Sequence, residues 1–479
     1  MFCLLRGGSV KRVFLILHDL SLLLLLLSLP VLSKAQHEEP SITLVRYDED
    51  YSYLRSSANR TGKWWEPLKF IPLTEKTYLT LGNEFRLRFE SITNDNWGLG
   101  KDDAYLWLRL LPYADLHALD SIRLFGQLVM AEAIDREPLT PLDENRVDFL
   151  QFFGDLAVPA GNSGTLTLRG GRQLFSYGSG RLVDVRYGPN VPRPFDAVKA
   201  VLQNGSWRVD TFYSSPVAVD TGSFDDKSDN DSRFWGAYLT RMLTGTFGST
   251  KNESAGLDMY YLGLDRTSAA FNQATGDELR HTLGTRFFGI AQDWDWDLEG
   301  FYQFGKFASG DIRAWSFASH VGYTFRHLCF SPRAGLKANV ISGDENADDS
   351  DIETFNPLFP KGKYFGELTP LGPQNLLNMQ LDLSLSLTEK WKFLFTVAPY
   401  WRYSTDDAIY DIGGNVVRPG GSSDERFVGI VWEPVLSCQF SRHLEGLISY
   451  SQFHAGDFIK ETGQDKTIRF VGLELLFRF

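Results

Sequence analysis

The chain has 479 residues, a formal charge of −12 and a mean hydropathy of −0.20, which is too polar for a bundle of membrane-spanning helices. Its 43 glycines, 36 phenylalanines, 19 tyrosines and 12 tryptophans fit another membrane solution. A strand with one face in lipid and one in water needs an apolar residue only at every second position.

At the start, Arg6, Lys11 and Arg12 precede an apolar stretch that culminates in Leu20 to Val31, and Ser33-Lys34-Ala35 offers small residues for a cut after Ala35. Residues 1–35 therefore read as a secretory signal peptide. An uncleaved anchor is the alternative, but His18 and Asp19 break the run below the ~20 residues a span needs. Cleavage would remove four basic residues and one acid and move the charge from −12 to −15. Residues 36–78 lack clean alternation and are expected to form a periplasmic N-terminal extension or a plug. Residues 79–479 are expected to form the main domain.

From Leu79 onward, period-two alternation recurs. Leu79, Leu81, Phe85, Leu87 and Phe89 share one face, and Thr80, Glu84, Arg86, Arg88 and Glu90 the other. Trp294, Trp296 and Leu298 interleave with Asp293, Asp295, Asp297 and Glu299, and Met379 to Leu387 alternates with Gln380, Asp382, Ser384 and Ser386. Tight turns at Asn204-Gly205, Thr388-Glu389-Lys390 and near Gln292, His327 and Ser441 are separated by long polar loops at 131–147, 174–196, 216–232, 342–376, 404–426 and 454–466. The last strand alternates through Val471, Leu473, Leu475, Phe477 and Phe479, as the closing strand of a bacterial outer-membrane barrel does. The expected fold is all-β, a transmembrane antiparallel outer-membrane β-barrel of eighteen strands. Weak segments around 121–130 and 256–265 leave sixteen as the second choice. Either size leaves room for an aqueous channel.

Which solute passes depends on the inward-facing charges. Parity puts Arg86, Arg88, Arg109, Arg169, Arg286, Arg333, Lys337 and Arg402 on lumenal faces, with Glu84, Glu90, Asp297, Glu299 and Asp382 as partners or opponents. Arg172 joins them only if Gly170-Gly171 bulges the strand and shifts its register by one, which is the expectation. Guanidinium forks bind carboxylates at two points, so the set favours an anion-conducting constriction. Mutual neutralisation across neighbouring strands is the alternative for any single arginine.

The stretch Gly171-Arg172-Gln173-Leu174-Phe175-Ser176-Tyr177-Gly178-Ser179-Gly180-Arg181-Leu182, followed by Phe195-Asp196-Ala197-Val198, resembles the alginate-export family of outer-membrane porins. So do Arg280 to Arg286 with Leu298 to Gly305, and Ser342-Gly343-Asp344 with Glu353 to Pro360, Tyr364-Phe365-Gly366 and Asn375-Leu376. The resemblance implies an eighteen-stranded barrel whose arginine-rich lumen conducts an anionic uronate polymer, with long loops folding over or into the lumen as gates. It also implies a lumenal or constriction role for Arg172, Arg181, Arg280 and Arg286.

Other constellations are weaker. Asp344, Asp348 and Asp351 share an acid-rich loop and offer oxygens for Ca²⁺, but the glycine of an EF-hand loop is absent, so a solvated loop is the better reading. Cys329 and Cys438 carry no spacing signature and read as unrelated thiols. No cofactor is implied. The expected partners are outer-membrane lipid, an acidic polysaccharide or oligosaccharide, and the barrel assembly machinery through the C-terminal strand, with no nucleic acid. The expected function is a passive outer-membrane channel for an alginate-like polyuronate or its oligomers, not an enzyme. The alternatives are a less selective porin for small anions or sugars and, further off, an enzyme or receptor barrel.

Overall fold

In the computed structural model, which describes residues 39–243 and 253–479, the alternation beginning at Leu79 becomes the first wall of a closed barrel. The signal-peptide segment 1–35 lies outside the described residues. Among those described, eighteen antiparallel strands form the wall. The first is Thr77–Gly82, continued after Asn83 by Glu84–Thr93, and the second is Asp103–Leu110, continued by Tyr113–Ala118. Then follow Ile122–Ile134, Asn145–Ala160, Gly164–Leu174, Pro194–Asn204, Trp207–Ala218, Ser232–Met242, Ser254–Ala270 and Thr275–Ala291. Trp294–Phe307, Gly310–Thr324, Arg333–Ile341, Leu376–Ser386, Trp391–Arg402, Phe427–Ser441, Leu444–Ala455 and Ile468–Arg478 complete the ring. Both weak segments of the sequence are strands, so the count is eighteen.

The last strand closes on the first, in register from Arg478 opposite Glu84 to Arg469 opposite Thr93. Closure leaves no open edge, the condition for a sheet in lipid, where an unpaired peptide group costs several kcal/mol. Side chains at the outer positions include Leu168, Val198, Leu283, Phe317, Leu381 and Ile448, all exposed. Trp207, Trp294 and Trp391 each open a strand directly after a short turn and are also exposed, so they form part of an aromatic girdle at the short-turn end. Cys329 and Cys438 are free thiols.

The lumen is filled from both ends. Residues 175–193 and 342–375 fold inward from the long-loop end, and Phe175, Leu182, Val183, Phe355, Phe365 and Leu368 pack on inner-wall rings such as Phe212, Phe234, Tyr260 and Tyr400. From the short-turn end comes the N-terminal segment. Tyr47 sits between Phe125 and Phe153, at centroid distances of 6.0 and 5.2 Å, and donates its hydroxyl to the Leu174 carbonyl at 3.0 Å. Tyr51, Leu54, Trp65, Phe70 and Tyr78 form a second cluster below it.

Lys69, on the short helix Glu66–Lys69, is buried within that cluster. Its ammonium donates to the Tyr113 hydroxyl at 2.6 Å and lies 4.8 Å from the Tyr51 ring centroid. Burial, reinforced by repulsion from Arg46, pushes its pKa down to about 7. The docked segment therefore binds fewer protons than a released one whose lysine titrates near ~10.4. Docking should strengthen by up to ~1.4 kcal/mol per unit as pH rises from about 7 toward ~10, and Lys69 should add no dependence below 7. Protection of residues 39–70 from protease, followed against pH, checks this, and Lys69→Met should flatten the curve.

Candidate functional site

The inner wall carries the charges that parity assigned to it, and nearly all are engaged. Arg88 is fully buried among Glu90, Glu367 (2.8 Å) and Glu474 (3.0 Å). Arg169 forms a fork with Asp155 and lies 4.0 Å from the Tyr47 ring centroid. Arg286 bridges Asp258 and Asp297, and Arg181 bridges Asp297 and Glu299. Arg280 pairs with Glu278 at 2.6 Å and donates to the Thr354 carbonyl. Arg333 joins Asp295 to Asp382, and Lys337 stands opposite Gln380 on the next strand.

Two groups of guanidiniums bind loop backbone instead. Arg86 donates to the carbonyls of Tyr187, Gly188 and Pro189 at 2.9–3.1 Å. Beside it, Arg109 pairs with Glu84 at 2.7 Å and turns its other edge to the carbonyls of Tyr187, Pro189 and Asn190. Arg402 is similarly wrapped by the carbonyls of Thr405, Ser423 and Glu425, with Phe458 over it at 3.8 Å. A guanidinium carries five donors, and here backbone oxygens take the places that carboxylate oxygens would otherwise fill.

The two inward loops meet. Asp184 N–H donates to the Phe359 carbonyl, Phe359 N–H to Leu182, and Lys361 N–H to Gly180, at 2.8–3.0 Å. A short parallel bridge thus joins Val183 to Phe359. Each loop is also tied to distant wall strands, 175–193 through Arg86, Arg109 and Glu299, and 342–375 through Arg88, Arg280 and Glu433. The pair therefore spans the lumen. Lys361, half-buried at the junction, donates to the Ser179 carbonyl at 3.2 Å, and has its pKa pushed down to about 8 by desolvation and by Arg181. Arg186 and Arg193 are half-buried in the loop 175–193, and their inaccessible Arg186 Nε and Arg193 Nη1 lack hydrogen-bond partners. Sequence reading missed all three, since a loop has no parity that would place its side chains.

One expectation is corrected. Arg172 does not enter the lumen, because the register runs without a shift through Gly170 and Gly171 on both flanking strands. Gly171 takes φ +131° and bends the strand without adding a residue. Arg172 therefore stays opposite Phe152, a half-exposed ring of the outer wall, and forks onto Asp196 while reaching Asp148 at 3.4 Å. The loop Asp344 to Asp351 does not gather its acids either. Asp344 is buried and accepts from the Asn346 and Glu353 amides, whereas Asp348 and Asp351 lie apart on the loop surface and rim. His320 faces Asp382 and Arg333, and His454 faces Trp432 and Thr467.

A barrel of eighteen strands with loops joined in a charged lumen is matched by the family model described as alginate export, over residues 77–472. The chain belongs to the alginate-export family. It is thus a bacterial outer-membrane protein with a porin-like barrel. Solved structures of similar fold include a BenF-like porin from Pseudomonas fluorescens, 8% identical with TM-score 0.56, covering 84% of this chain and 98% of that one. The outer-membrane protein OpdK from Pseudomonas aeruginosa is 9% identical with TM-score 0.55, covering 83% and 98%. OccK2 (OpdF) from the same organism, solved in complex with glucuronate, is 11% identical with TM-score 0.53, covering 84% and 96%. At such identities the likeness concerns the fold alone. No curated protein matches the chain. The alginate-export match begins at residue 77, where the first wall strand starts, two residues before the expected boundary at 79.

Proposed function

We propose that this alginate-export family member is a passive outer-membrane channel for an acidic polysaccharide of the polyuronate class, or its oligomers, described here in a closed state. The observation that carries the reading is the pair Arg86 and Arg109, whose outward edges rest on the carbonyls of residues 187–190. Withdrawal of that loop frees two adjacent forks inside the lumen, and a uronate carboxylate has the oxygen spacing to replace the carbonyls. Tyr177 of the same loop stacks on Tyr238, and Tyr238 on Tyr260, each at 4.8 Å, so withdrawal of the loop also bares an aromatic face for a sugar ring. OccK2, a barrel of the same fold, was solved with glucuronate, itself a uronate.

The test is single-channel conductance of the refolded protein in a planar bilayer under a salt gradient, with polymannuronate added to one side. Anion-selective openings blocked by the polymer are expected. Replacing Arg86 and Arg109 together by glutamine should remove most of the block while leaving openings, because the barrel hydrogen bonds are untouched. Openings indifferent to polyuronate would favour the second reading, a porin for small anions or sugars. That reading draws its support from Arg88, Arg181, Arg280, Arg286 and Arg333, all already paired with carboxylates.

A further inference from the structure

Four aspartates and one arginine meet at the rim of the barrel at its long-loop end. Asp148 lies near the start of the strand Asn145–Ala160, and Asp196 near the start of Pro194–Asn204. Asp225 and Asp226 come from the loop 219–231, which runs beside the edge of the strand Asn145–Ala160 in a short parallel bridge between Val147 and Ser223. The loop is held there by Arg146 N–H donating to the Gly222 carbonyl and Phe224 N–H donating to Val147, and Phe224 packs on Phe149 at 5.5 Å. Carboxylate oxygens of Asp148, Asp225 and Asp226 all lie within 4.8 Å of one another.

Such crowding needs compensation, and Arg172 supplies only part of it. Its fork is committed to Asp196, its contact with Asp148 is long at 3.4 Å, and its remaining donations go to the Phe149 and Asp226 carbonyls. One guanidinium thus faces four carboxylates.

A second observation, independent of the acids, points the same way. Asn145 is fully buried, its amide nitrogen is fixed on Asp226 at 3.0 Å, and its carbonyl oxygen Oδ1 has no hydrogen-bond partner. Asp225 Oδ1 is likewise buried and unpartnered. Orphaned buried acceptors are rare and costly unless a donor or a cation completes them. Here one orphaned amide oxygen accompanies three convergent carboxylates, of which Asp225 has an orphaned oxygen of its own. The neighbouring Gly222 gives the loop room for this approach, since a Cβ there would meet Asp225 Oδ2 at 2.0 Å.

We propose that Asp148, Asp225 and Asp226, with Asn145 Oδ1, form a Ca²⁺ site that clamps the loop 219–231 to the edge of the strand Asn145–Ala160 at the barrel rim. Hard oxygen donors in irregular arrangement suit Ca²⁺ better than Mg²⁺, which demands a near-ideal octahedron and keeps its water. The site does not rest on the solute assigned to the channel.

The experiment titrates CaCl₂ into chelator-stripped refolded protein by calorimetry, and follows tryptic cleavage after the exposed Lys227 with and without the ion. One ion per chain should bind, with Kd on the order of 10⁻⁴–10⁻³ M as in other extracellular modules, and should slow cleavage at Lys227 about tenfold or more. Asp225→Asn with Asp226→Asn should abolish both effects, and Asn145→Ala should weaken binding. Asp349→Asn, in the other acid-rich loop, should change neither. The folded barrel of each variant is verified by its heat-dependent migration in detergent gels. Without Ca²⁺, the double variant should be cut more slowly than the stripped parent, because the repulsion is gone. Absence of saturable binding, or binding that survives the double substitution or is lost in Asp349→Asn, would overturn the proposal.

Discussion

A Val183→Cys, Phe359→Cys variant, carrying serine at Cys329 and Cys438, is expected to conduct only when reduced. The two positions face each other in the parallel bridge that joins the inward loops, flanked by the Asp184-to-Phe359 and Phe359-to-Leu182 backbone bonds. Bridged neighbours of this kind lie within the ~4.4–6.8 Å Cα separation that a disulfide requires. Apart from this junction, each loop is tied by hydrogen bonds and ion pairs that solvent can replace one at a time, so opening needs no broken wall strand. A covalent tie removes that freedom. Single-channel current before and after reductant measures it, with a loss of about tenfold or more expected in the oxidised form. Parent-like current through the oxidised variant would mean that the permeation path bypasses the junction.

At the other mouth, Arg46→Ala is expected to release the N-terminal segment and produce larger, longer openings. Arg46 is buried, pairs with Glu49 at 2.7 Å, and donates to the Phe479 carbonyl at 2.8 Å and to the Tyr113 hydroxyl. One side chain therefore ties the segment to the seam where last and first strands meet. Removing one partner of such a buried pair costs ~3–5 kcal/mol by stranding the other charge. Nearly all of that loss falls on docking, because the wall keeps every interstrand hydrogen bond. Deletion of residues 39–70 should give the same open phenotype. Conductance and antibiotic permeability equal to the parent in both variants would reduce the segment to a bystander.

Loops explain why the arginines of this lumen were only half legible. Strand parity placed Arg86, Arg88, Arg109, Arg169 and Arg286 on the inner face, because alternation is local and a one-residue slip would expose every apolar side chain on the wrong side. Their partners follow no local rule. Arg86 meets residues 187–190 and Arg88 meets Glu367, contacts made only when segments far apart in sequence fold into one cavity. Arg172 failed for the opposite reason. Two successive glycines suggested a bulge, but a positive φ at Gly171 bent the strand and kept the register.

By itself, the sequence determined the solvent, the strand period, a wall of sixteen to eighteen strands and the face of most wall side chains, since all of these follow from alternation against lipid and from turn chemistry. Only the tertiary structure decided the strand count of eighteen, that the lumen is spanned, that Arg86, Arg109 and Arg402 rest on loop carbonyls, and that four aspartates converge at the barrel rim. Those outcomes depend on where long loops and the N-terminal segment settle. That choice is made by packing and charge compensation across the whole barrel, which no periodicity in the chain encodes.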